Sequence, residues 1–348
     1  MGDALRPAGG RIGSRAESLE EMELRERYEE ELALVRGLPA WMGMLVALAA
    51  LVLFPLFAPR YLVYIATLMA IHILIALGLN LLAGYTGQIS LGHAGFVAIG
   101  AYTAGLLMAR AGVPFPLALL SSGFSAAFFG FLLGLPVLRL TGPYLTIATL
   151  GFGIAIHQVL TNWEALSGGR MGLFVPKPVV GPWVLTSEAS LYYLTIGVAG
   201  LLTWTAYNLV RSHIGRAFVA IRDSDIAAEV MGVNLTVYKT LAFALSAFYA
   251  GIAGALQGHL LGYLEPQMFT LFESIYYFSM IVVGGLGTIP GSILGAILMT
   301  ILPQVLSGLR EWLPVVYGST IILIMLVEPW GLYGRWIRIK WWLKTWPL

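Results

Sequence analysis

The sequence contains no cysteine, and this absence excludes disulfide bonds, zinc sites with thiolate ligands and cysteine nucleophiles. Charge is also scarce, because Asp, Glu, Lys and Arg make up only 11% of the 348 residues while hydrophobic residues make up 58%. A composition this poor in charge is not that of an ordinary soluble domain and is typical of a membrane protein. The net charge of +2 is too small to indicate a nucleic-acid partner.

Long stretches of the chain carry no Asp, Glu, Lys or Arg at all. These stretches lie between Arg60 and Arg110, Arg110 and Arg139, Arg139 and Glu164, Lys239 and Glu265, and Glu273 and Arg310. A helix crosses the hydrocarbon core with about 20 apolar residues, so the longer stretches hold one or two spans each. We predict an all-α, polytopic membrane helix bundle of about ten (eight to ten) spans with broken or re-entrant helices. The predicted spans are 41–58, 61–83, 91–110, 115–137, 142–161, 190–210, 239–261, 272–289, 292–308 and 313–329.

Two charged segments flank the predicted transmembrane domain, which covers residues 39–330. Residues 1–38 are acidic, contain a capping box at 18–21 and repeat apolar residues at helical spacing. They predict either an amphipathic helix on the membrane or on a partner, or a solvated leader. Residues 331–348 are basic. Because Lys and Arg favour the cytoplasmic side, we expect both termini and the 211–238 loop to be cytoplasmic and the 162–189 loop to be external.

Glycines recur at helical spacing in two places. The first set is Gly251, Gly254 and Gly258, and the second is Gly287, Gly291 and Gly295. In lipid, small residues let helix backbones approach closely, so we interpret both sets as packing faces. A hinge or a smooth conduit wall is the alternative. Pro290 favours a break that joins two half-spans, which survives at membrane depth only inside protein or beside a cavity.

The densest polar cluster within apolar surroundings lies at residues 80–93. Gly84 and Gly87 would interrupt a helix there. One interpretation is a re-entrant segment that faces a translocation path, and the other is a tight polar connection between packed helices. For the histidine alone, a hydrogen bond to a neighbour is the favoured interpretation. The translocation-path candidates are Asn80, Gln88, Ser90 and His93.

Several chemistries lack support in the sequence. The five histidines show none of the close spacings of zinc sites, so we predict no metal site. A phosphate-binding loop, Gly-x-x-x-x-Gly-Lys-Ser/Thr, is missing, as is a Gly-x-Ser-x-Gly nucleophile elbow. Ionisable groups at mid-membrane, common in secondary carriers, are also missing, because Glu273 and Glu328 lie near span ends. A stand-alone secondary carrier and an intramembrane enzyme are therefore less favoured alternatives.

Residues 211–239 form the one sizeable polar island between hydrophobic stretches in the second half of the chain. They predict a short amphipathic helix at 225–232, which Asp223 or Asp225 could cap and which Gly232 would end. Such a helix is too short to be stable alone in water. It either packs on its own membrane domain or docks in a groove on a cytoplasmic ATPase. The predicted apolar face consists of Ile226, Ala227, Val230 and Met231.

Five motifs together resemble the LivM-type permease subunits of branched-chain amino acid ABC importers. They lie at 78–96 with 100–102, 142–150, 167–173, 215–232 with 238–239, and 282–287. The resemblance covers about residues 60–310, and the motifs are specific in combination and order. It extends to urea and short-chain amide ABC permeases, which are the alternative for the substrate. The acidic segment at 1–38 departs from this pattern and receives no role.

The resemblance implies a membrane-spanning permease subunit of an ATP-driven, binding-protein-dependent importer in a bacterial or archaeal cytoplasmic membrane, not an enzyme. The implied partners are a companion LivH-type permease, two cytoplasmic ABC ATPases and an extracytoplasmic substrate-binding protein. ATP would be used by those ATPases, and this chain would bind no cofactor. The resemblance also implies that residues 215–232 couple the chain to the ATPase. The candidate coupling residues are Gly215, Arg216, Arg222, Asp223, Asp225, Ala227, Ala228, Glu229 and Gly232.

Overall fold

The computed structural model describes residues 38–137, 140, 142–180, 183–184, 187–306, 308, 312–328 and 331–345. The predicted acidic N-terminal segment, residues 1–38, lies outside the described residues except for Leu38. The helices are α1 Leu38–Phe57, α2 Arg60–Ala83, α3 His93–Ala111, α4 Phe115–Val137, α5 Pro143–Asn162, α6 Glu164–Ser167, α7 Glu188–Arg211, α8 His213–Asp223, α9 Asp225–Val230, α10 Leu235–Leu261, α11 Leu271–Gly284, α12 Ile289–Val305, α13 Leu313–Val327 and α14 Gly331–Thr345.

Six of these helices, α2, α3, α4, α5, α7 and α10, are long and apolar enough to cross a membrane by length and composition. An isolated strand or loop could not do so, because each backbone polar group in lipid must be hydrogen-bonded within the protein. The chain is therefore an all-α, multi-pass membrane bundle. Helices α11 and α12 have 14 and 17 residues, fewer than the roughly 20 that a full crossing needs. The prediction of eight to ten complete spans stays a prediction.

Helix α10 lies at the centre of the unit formed by residues 57–348 and packs against α2, α3 and α4. Its predicted glycine face makes these contacts. A Cβ atom added to Gly254 would collide with the carbonyl oxygen of Val97, and one added to Gly251 would lie 2.6 Å from the Cβ atom of Ala126. The packing interpretation is therefore confirmed for Gly251 and Gly254, because only glycine permits such close approach of neighbouring helices, whereas a Cβ atom at Gly258 would lie 3.3 Å from the side chain of Leu264.

Helices α11 and α12 form a tight hairpin around residues 285–288. The predicted break is confirmed, since α11 ends at Gly284 and Pro290 occupies the first turn of α12, where its missing N–H costs no helical hydrogen bond. The two helices lie side by side rather than end to end. Gly284 and Gly295 touch through their backbones, and the Tyr276 hydroxyl donates to the carbonyl oxygen of Met299 at 2.9 Å.

Among its described residues, the segment between α5 and α7 contains the short helix α6 and three two-residue strands, and a fourth two-residue strand follows α10. Strand β1, Leu173–Phe174, pairs antiparallel with β4, Tyr263–Leu264, and thus joins this segment to the end of α10. Strands β2, Val179–Val180, and β3, Trp183–Val184, form a second antiparallel pair. Arg110 at the end of α3 donates to the carbonyl oxygen of Leu166 at 2.8 Å. These contacts hold the predicted external loop against the ends of α3 and α10.

Candidate functional site

The polar island at residues 211–239 contains two short helices, α8 and α9, which meet at Ser224. The hydroxyl oxygen of Ser224 accepts a hydrogen bond from the backbone N–H of Ala227 at 3.2 Å and so caps α9. The prediction that Asp223 or Asp225 supplies this cap is wrong. Their carboxylates instead form ion pairs with Arg222 at 3.2 Å and with Lys239 at 2.6 Å. Ser224 was recognisable in the sequence, because a serine before a short apolar helix is a common N-cap.

Helix α8 packs inward and α9 presents its apolar residues outward. Gly215, Ala217, Phe218 and Ile221 on α8 are buried. On α9 and just after it, Ile226, Val230 and Met231 are 77%, 81% and 82% exposed, and we call these three residues the α9 patch. The patch does not cover its own membrane domain. An exposed apolar cluster on a polar loop is typical of a surface that another protein covers.

The remaining predicted coupling residues are divided between the inner and outer surfaces of the loop. Gly215 is buried, and a Cβ atom there would collide with the backbone of Val210. Ala228 is also buried, whereas Arg216, Ala227 and Glu229 are exposed. Gly232 has a φ of +85°, and its N–H donates to the carbonyl oxygen of Glu229 at 3.0 Å. The prediction that Gly232 ends the helix is confirmed, because this left-handed conformation favours glycine.

Arg222 is the last arginine of α8 and reaches across to two distant breaks in the helices. Its guanidinium Nη1 donates to the carbonyl oxygen of Gly84 at 3.3 Å. A Cβ atom at Gly287 would lie 2.9 Å from the same nitrogen, and one at Gly87 would lie 3.2 Å from Cγ of Arg222. We call Asn80, Gly84, Gly87, Arg222 and Gly287 the glycine junction. It brings α8, the end of α2 and the α11–α12 turn together.

Asn80 fastens the end of α2 to the α11–α12 turn. Its side-chain amide donates to the carbonyl oxygen of Thr288 at 2.9 Å and lies 2.7 Å from the hydroxyl of Ser292. The backbone N–H of Gly287 donates to the Asn80 side-chain oxygen at 2.9 Å. Asn80 is 1% exposed, so these partners satisfy a polar group that would otherwise be buried without hydrogen bonds. Sequence reasoning missed Thr288 and Ser292, since ordinary hydroxyl residues give no signal of a partner more than 200 positions away.

Residues 84–92 form a non-helical segment, as the two glycines Gly84 and Gly87 predict. The segment starts at the glycine junction, where the N–H of Gln88 donates to the carbonyl oxygen of Leu82 at 3.1 Å. The pKa of Tyr85 is raised to about 12, mainly by burial. The hydrogen bond with the backbone of Ile289 and the positive charge of Arg222 oppose this rise. The phenol of Tyr85 is therefore neutral at physiological pH, beside the start of α12.

The same segment ends in the interior, where α3 begins at His93. The N–H of Leu91 donates to the Thr149 hydroxyl at 3.2 Å, and the N–H of Ala94 donates to the Ser274 hydroxyl at 3.0 Å. Ser90 and His93 are fully buried. Neither ring nitrogen of His93 makes a hydrogen bond with a described residue, so the predicted hydrogen bond to a neighbour is not observed there. The segment thus leads from the loop end of α2 back into the helical core.

Residues 86–88 and the α8–α9 loop line a cleft of about 320 Å³. Its polar lining includes Thr86, Gln88, Arg222, Asp225 and Lys239. Gln88, predicted as a path residue, therefore lies beside residues predicted to couple to an ATPase. A residue of the predicted translocation-path set and residues of the predicted coupling set, which are distant in sequence, thus line the same cleft. Whether Asn80, Gln88, Ser90 and His93 line a translocation path stays a prediction.

Comparison with known proteins gives consistent relatives. A model of the family described as "Branched-chain amino acid transport system / permease component" matches residues 61–327. The chain is 36% identical over 345 residues to the high-affinity branched-chain amino acid transport system permease protein LivM of Escherichia coli (strain K12), covering 89% of this chain and 81% of that protein. LivM of Salmonella typhimurium (strain LT2) is 34% identical, with 83% of this chain and 74% of that protein covered. The permease protein LivH of Escherichia coli (strain K12) is 26% identical, with coverage of 77% and 93%. No solved structure matches the chain significantly.

Proposed function

The chain belongs to the family of permease components of branched-chain amino acid transport systems, and from this premise we propose that it is the membrane-spanning subunit of an ATP-driven importer. Its substrate would be a branched-chain amino acid, as the names of its relatives indicate. The chain is a transport component rather than an enzyme. Movement between outward-open and inward-open states would be driven by ATP hydrolysis on separate subunits, and this chain would bind no nucleotide or other cofactor itself.

The observation that carries the proposal is the α9 patch in a chain of this family. Ile226 and Val230 project from a helix of six residues, which is too short to be stable without packing, and Met231 follows that helix directly. An apolar groove on a cytoplasmic ATPase would cover the patch. The exposed side chains of Arg216 and Glu229 would lie at the polar rim of that contact, where charges affect association rate and specificity.

A pair of permease subunits is the natural assembly, because the chain resembles both LivM and LivH. The higher identity to LivM favours the LivM position in that pair, with a LivH-type chain as companion. Two ABC ATPases would bind on the cytoplasmic side, and a substrate-binding protein would deliver the amino acid on the other side of a bacterial or archaeal cytoplasmic membrane. These partners follow from the type of system.

The topology we propose places both termini and the α8–α9 loop in the cytoplasm. The glycine junction supports this for the C-terminus. A Cβ atom at Gly331, the first residue of α14, would lie 2.6 Å from the backbone nitrogen of Gly285, in the turn that Arg222 also reaches. The tail helix and the α8–α9 loop therefore start at the same end of the bundle. Arg335, Arg338 and Lys340 then add to the positive charge that favours the cytoplasmic side.

Reconstitution of this chain with the companion permease, the two ATPases and the binding protein in proteoliposomes tests the function directly. We expect uptake of leucine, isoleucine or valine that requires ATP, the ATPases and the binding protein. Gradient-driven uptake by this chain alone would instead support the secondary-carrier alternative. ATP-dependent uptake of urea or a short-chain amide, with no uptake of branched-chain amino acids, would assign the alternative substrate class.

Two substitutions test the docking role of α9. Glu229→Pro breaks the helix, since proline in a helix interior costs about 3 kcal/mol, and Val230→Asp places a charge in the α9 patch. Both should lower the amount of ATPase that co-purifies and abolish uptake. Phe174→Asp is the control, because Phe174 is 78% exposed on β1, far from α9 in sequence. Normal ATPase binding and uptake in both α9 variants would refute the docking role.

A further inference from the structure

We propose that Arg222 is a positioning residue that transmits movement of the α8–α9 loop to the helix breaks at Gly84 and Gly287. It would act inside the permease rather than as a contact of the ATPase. The inference rests on the proposed function, because it takes an ATPase docked on the α9 patch as the source of movement.

The first contact joins Arg222 to the C-terminal end of α2. Gly84 follows the last residue of that helix, and its carbonyl oxygen accepts a hydrogen bond from Arg222 Nη1 at 3.3 Å. Carbonyl groups at a helix C-terminus lack intrahelical donors and carry partial negative charge. A guanidinium group supplies both a donor and a positive charge at this position. Displacement of the α8–α9 loop therefore pulls or releases the end of α2.

Two glycines with left-handed backbones enclose the same side chain. Gly87 has a φ of +72° and lies against the aliphatic stem, and Gly287 has a φ of +73° and lies against the guanidinium. Neither position has room for a side chain without displacing Arg222. Movement of Arg222 therefore acts directly on both backbone segments, because no Cβ atom lies between them and its side chain.

The glycine junction continues into the core through two connections. Asn80 links α2 to Gly287, Thr288 and Ser292, so the end of α2 and the α11–α12 turn move as one unit. Residues 84–92 then connect the junction to the start of α3. There the Ala94 N–H binds Ser274 on α11 at 3.0 Å. A shift of Gly84 thus reaches the starts of both α3 and α11.

Arg216 and Lys239 make local contacts, and Arg211 stacks on the ring of Tyr207, four residues before it. Arg216 donates to the carbonyl oxygen of Arg211 at 3.4 Å, and Lys239 binds Asp225 at 2.6 Å. Arg222 instead contacts residue 84, which is 138 positions away. Its side chain is 39% exposed, and its outer side pairs with Asp223. This geometry suits a link between the loop and the membrane helices.

The test compares Arg222→Met, Arg222→Gln and Arg222→Lys in the reconstituted complex. Met keeps an apolar stem against Gly87 and removes the guanidinium, Gln keeps a shorter neutral donor, and Lys keeps the charge. Arg335→Gln is the matched control, because Arg335 is an exposed arginine on the tail helix. Co-purification of ATPase, basal ATP hydrolysis, uptake and thermal stability are measured for each variant.

A second readout follows the 84–92 segment itself. The chain has no cysteine, so Ile89→Cys introduces a single thiol into it, at a position that is 44% exposed. The rate of maleimide labelling of this thiol is compared between the nucleotide-free complex and the vanadate-trapped complex. In the Arg222 wild-type background we expect the two rates to differ. A purely structural role for Arg222 would leave this difference in place.

We expect Arg222→Met and Arg222→Gln to retain bound ATPase and basal ATP hydrolysis. Uptake should fall about tenfold, which is within the usual range of coupling between sites. The thiol at position 89 should be labelled at equal rates in both nucleotide states. Arg222→Lys should recover part of each response. Wild-type uptake and a wild-type labelling difference in either neutral variant would overturn the link and leave the proposed function intact. Failure of both neutral variants to assemble would reduce Arg222 to a folding residue and would also overturn it. If the wild-type complex itself neither binds ATPase nor transports, the proposed function fails and the link with it.

Discussion

The backbone N–H of Gly287 donates to the side-chain oxygen of Asn80 at 2.9 Å, which fastens the α11–α12 turn to the last turn of α2. The two residues are 207 positions apart in the chain. The same asparagine also binds Thr288 and Ser292, so one buried side chain holds the turn through three hydrogen bonds.

Replacing this asparagine should destabilise the permease. In Asn80→Ala, the part-buried N–H of Gly287 loses its side-chain partner, whereas the carbonyl of Thr288 still accepts from the hydroxyl and the N–H of Ser292. Each buried group left without a hydrogen bond costs about 1–3 kcal/mol. Thermal unfolding in detergent should show a clear fall in Tm. Asn162→Ala is the control, because the Asn162 side chain is exposed and, in the described part of the chain, donates to the local carbonyl of Gln158 alone. An equal Tm for the two variants would show that Asn80 does not hold the turn.

Gly287→Ala should impair coupling beyond any effect on stability. An alanine at a φ of +73° costs about 1–2 kcal/mol, and its Cβ atom would lie 2.9 Å from Arg222 Nη1. Gly112→Ala separates these effects, because Gly112 has a φ of +62° but no described atom within 4 Å of an added Cβ. We expect similar losses of Tm in both variants and a loss of substrate-stimulated ATP hydrolysis in Gly287→Ala alone. Normal stimulation in Gly287→Ala would contradict the role assigned to the junction.

Gly254→Ala should be poorly tolerated for packing reasons. An added Cβ atom would collide with the carbonyl group of Val97, so α3 and α10 would have to separate. Overpacking of this kind costs about 1–3 kcal/mol. Gly200→Ala, on α7, meets no described atom within 4 Å and should be neutral or slightly stabilising, because alanine favours helix. Yield of folded protein and Tm in detergent measure the difference, and a tolerated Gly254→Ala would argue against the close α3–α10 contact.

The ion pair between Lys239 and Asp225 should orient α9 for docking. The Lys239 ammonium lies 2.6 Å from Asp225, and the two side chains are 12% and 37% exposed. A double-mutant cycle with Lys239→Met and Asp225→Asn, measured as ATPase affinity, should give a coupling energy of about 0.5–1 kcal/mol that weakens with salt. Additive effects of the two substitutions at low salt would mean that the pair does not position the helix.

Much of the fold was predictable from the sequence. Long uncharged stretches predict helices, because backbone groups in lipid have no hydrogen-bond partners outside the protein. A helix occurs at each of the ten predicted spans, namely α1 to α5, α7 and α10 to α13. Gly84, Gly232 and Pro290 mark chain interruptions that depend on local backbone preference alone. The helix at 225–232 was predictable for the same reason, although its cap is Ser224 and not an aspartate.

The sequence by itself determined which segments are helical, where those helices break, and, by resemblance, the family to which the chain belongs. The tertiary structure alone decided that α11 and α12 lie side by side, that the α9 patch faces outward, and that Arg222 meets Gly84 and Gly287. Helix formation depends on residues within one or two turns, so it can be predicted from short stretches of sequence. The glycine junction depends on three backbone segments from distant parts of the chain approaching one side chain, and that approach exists only after the helices have packed.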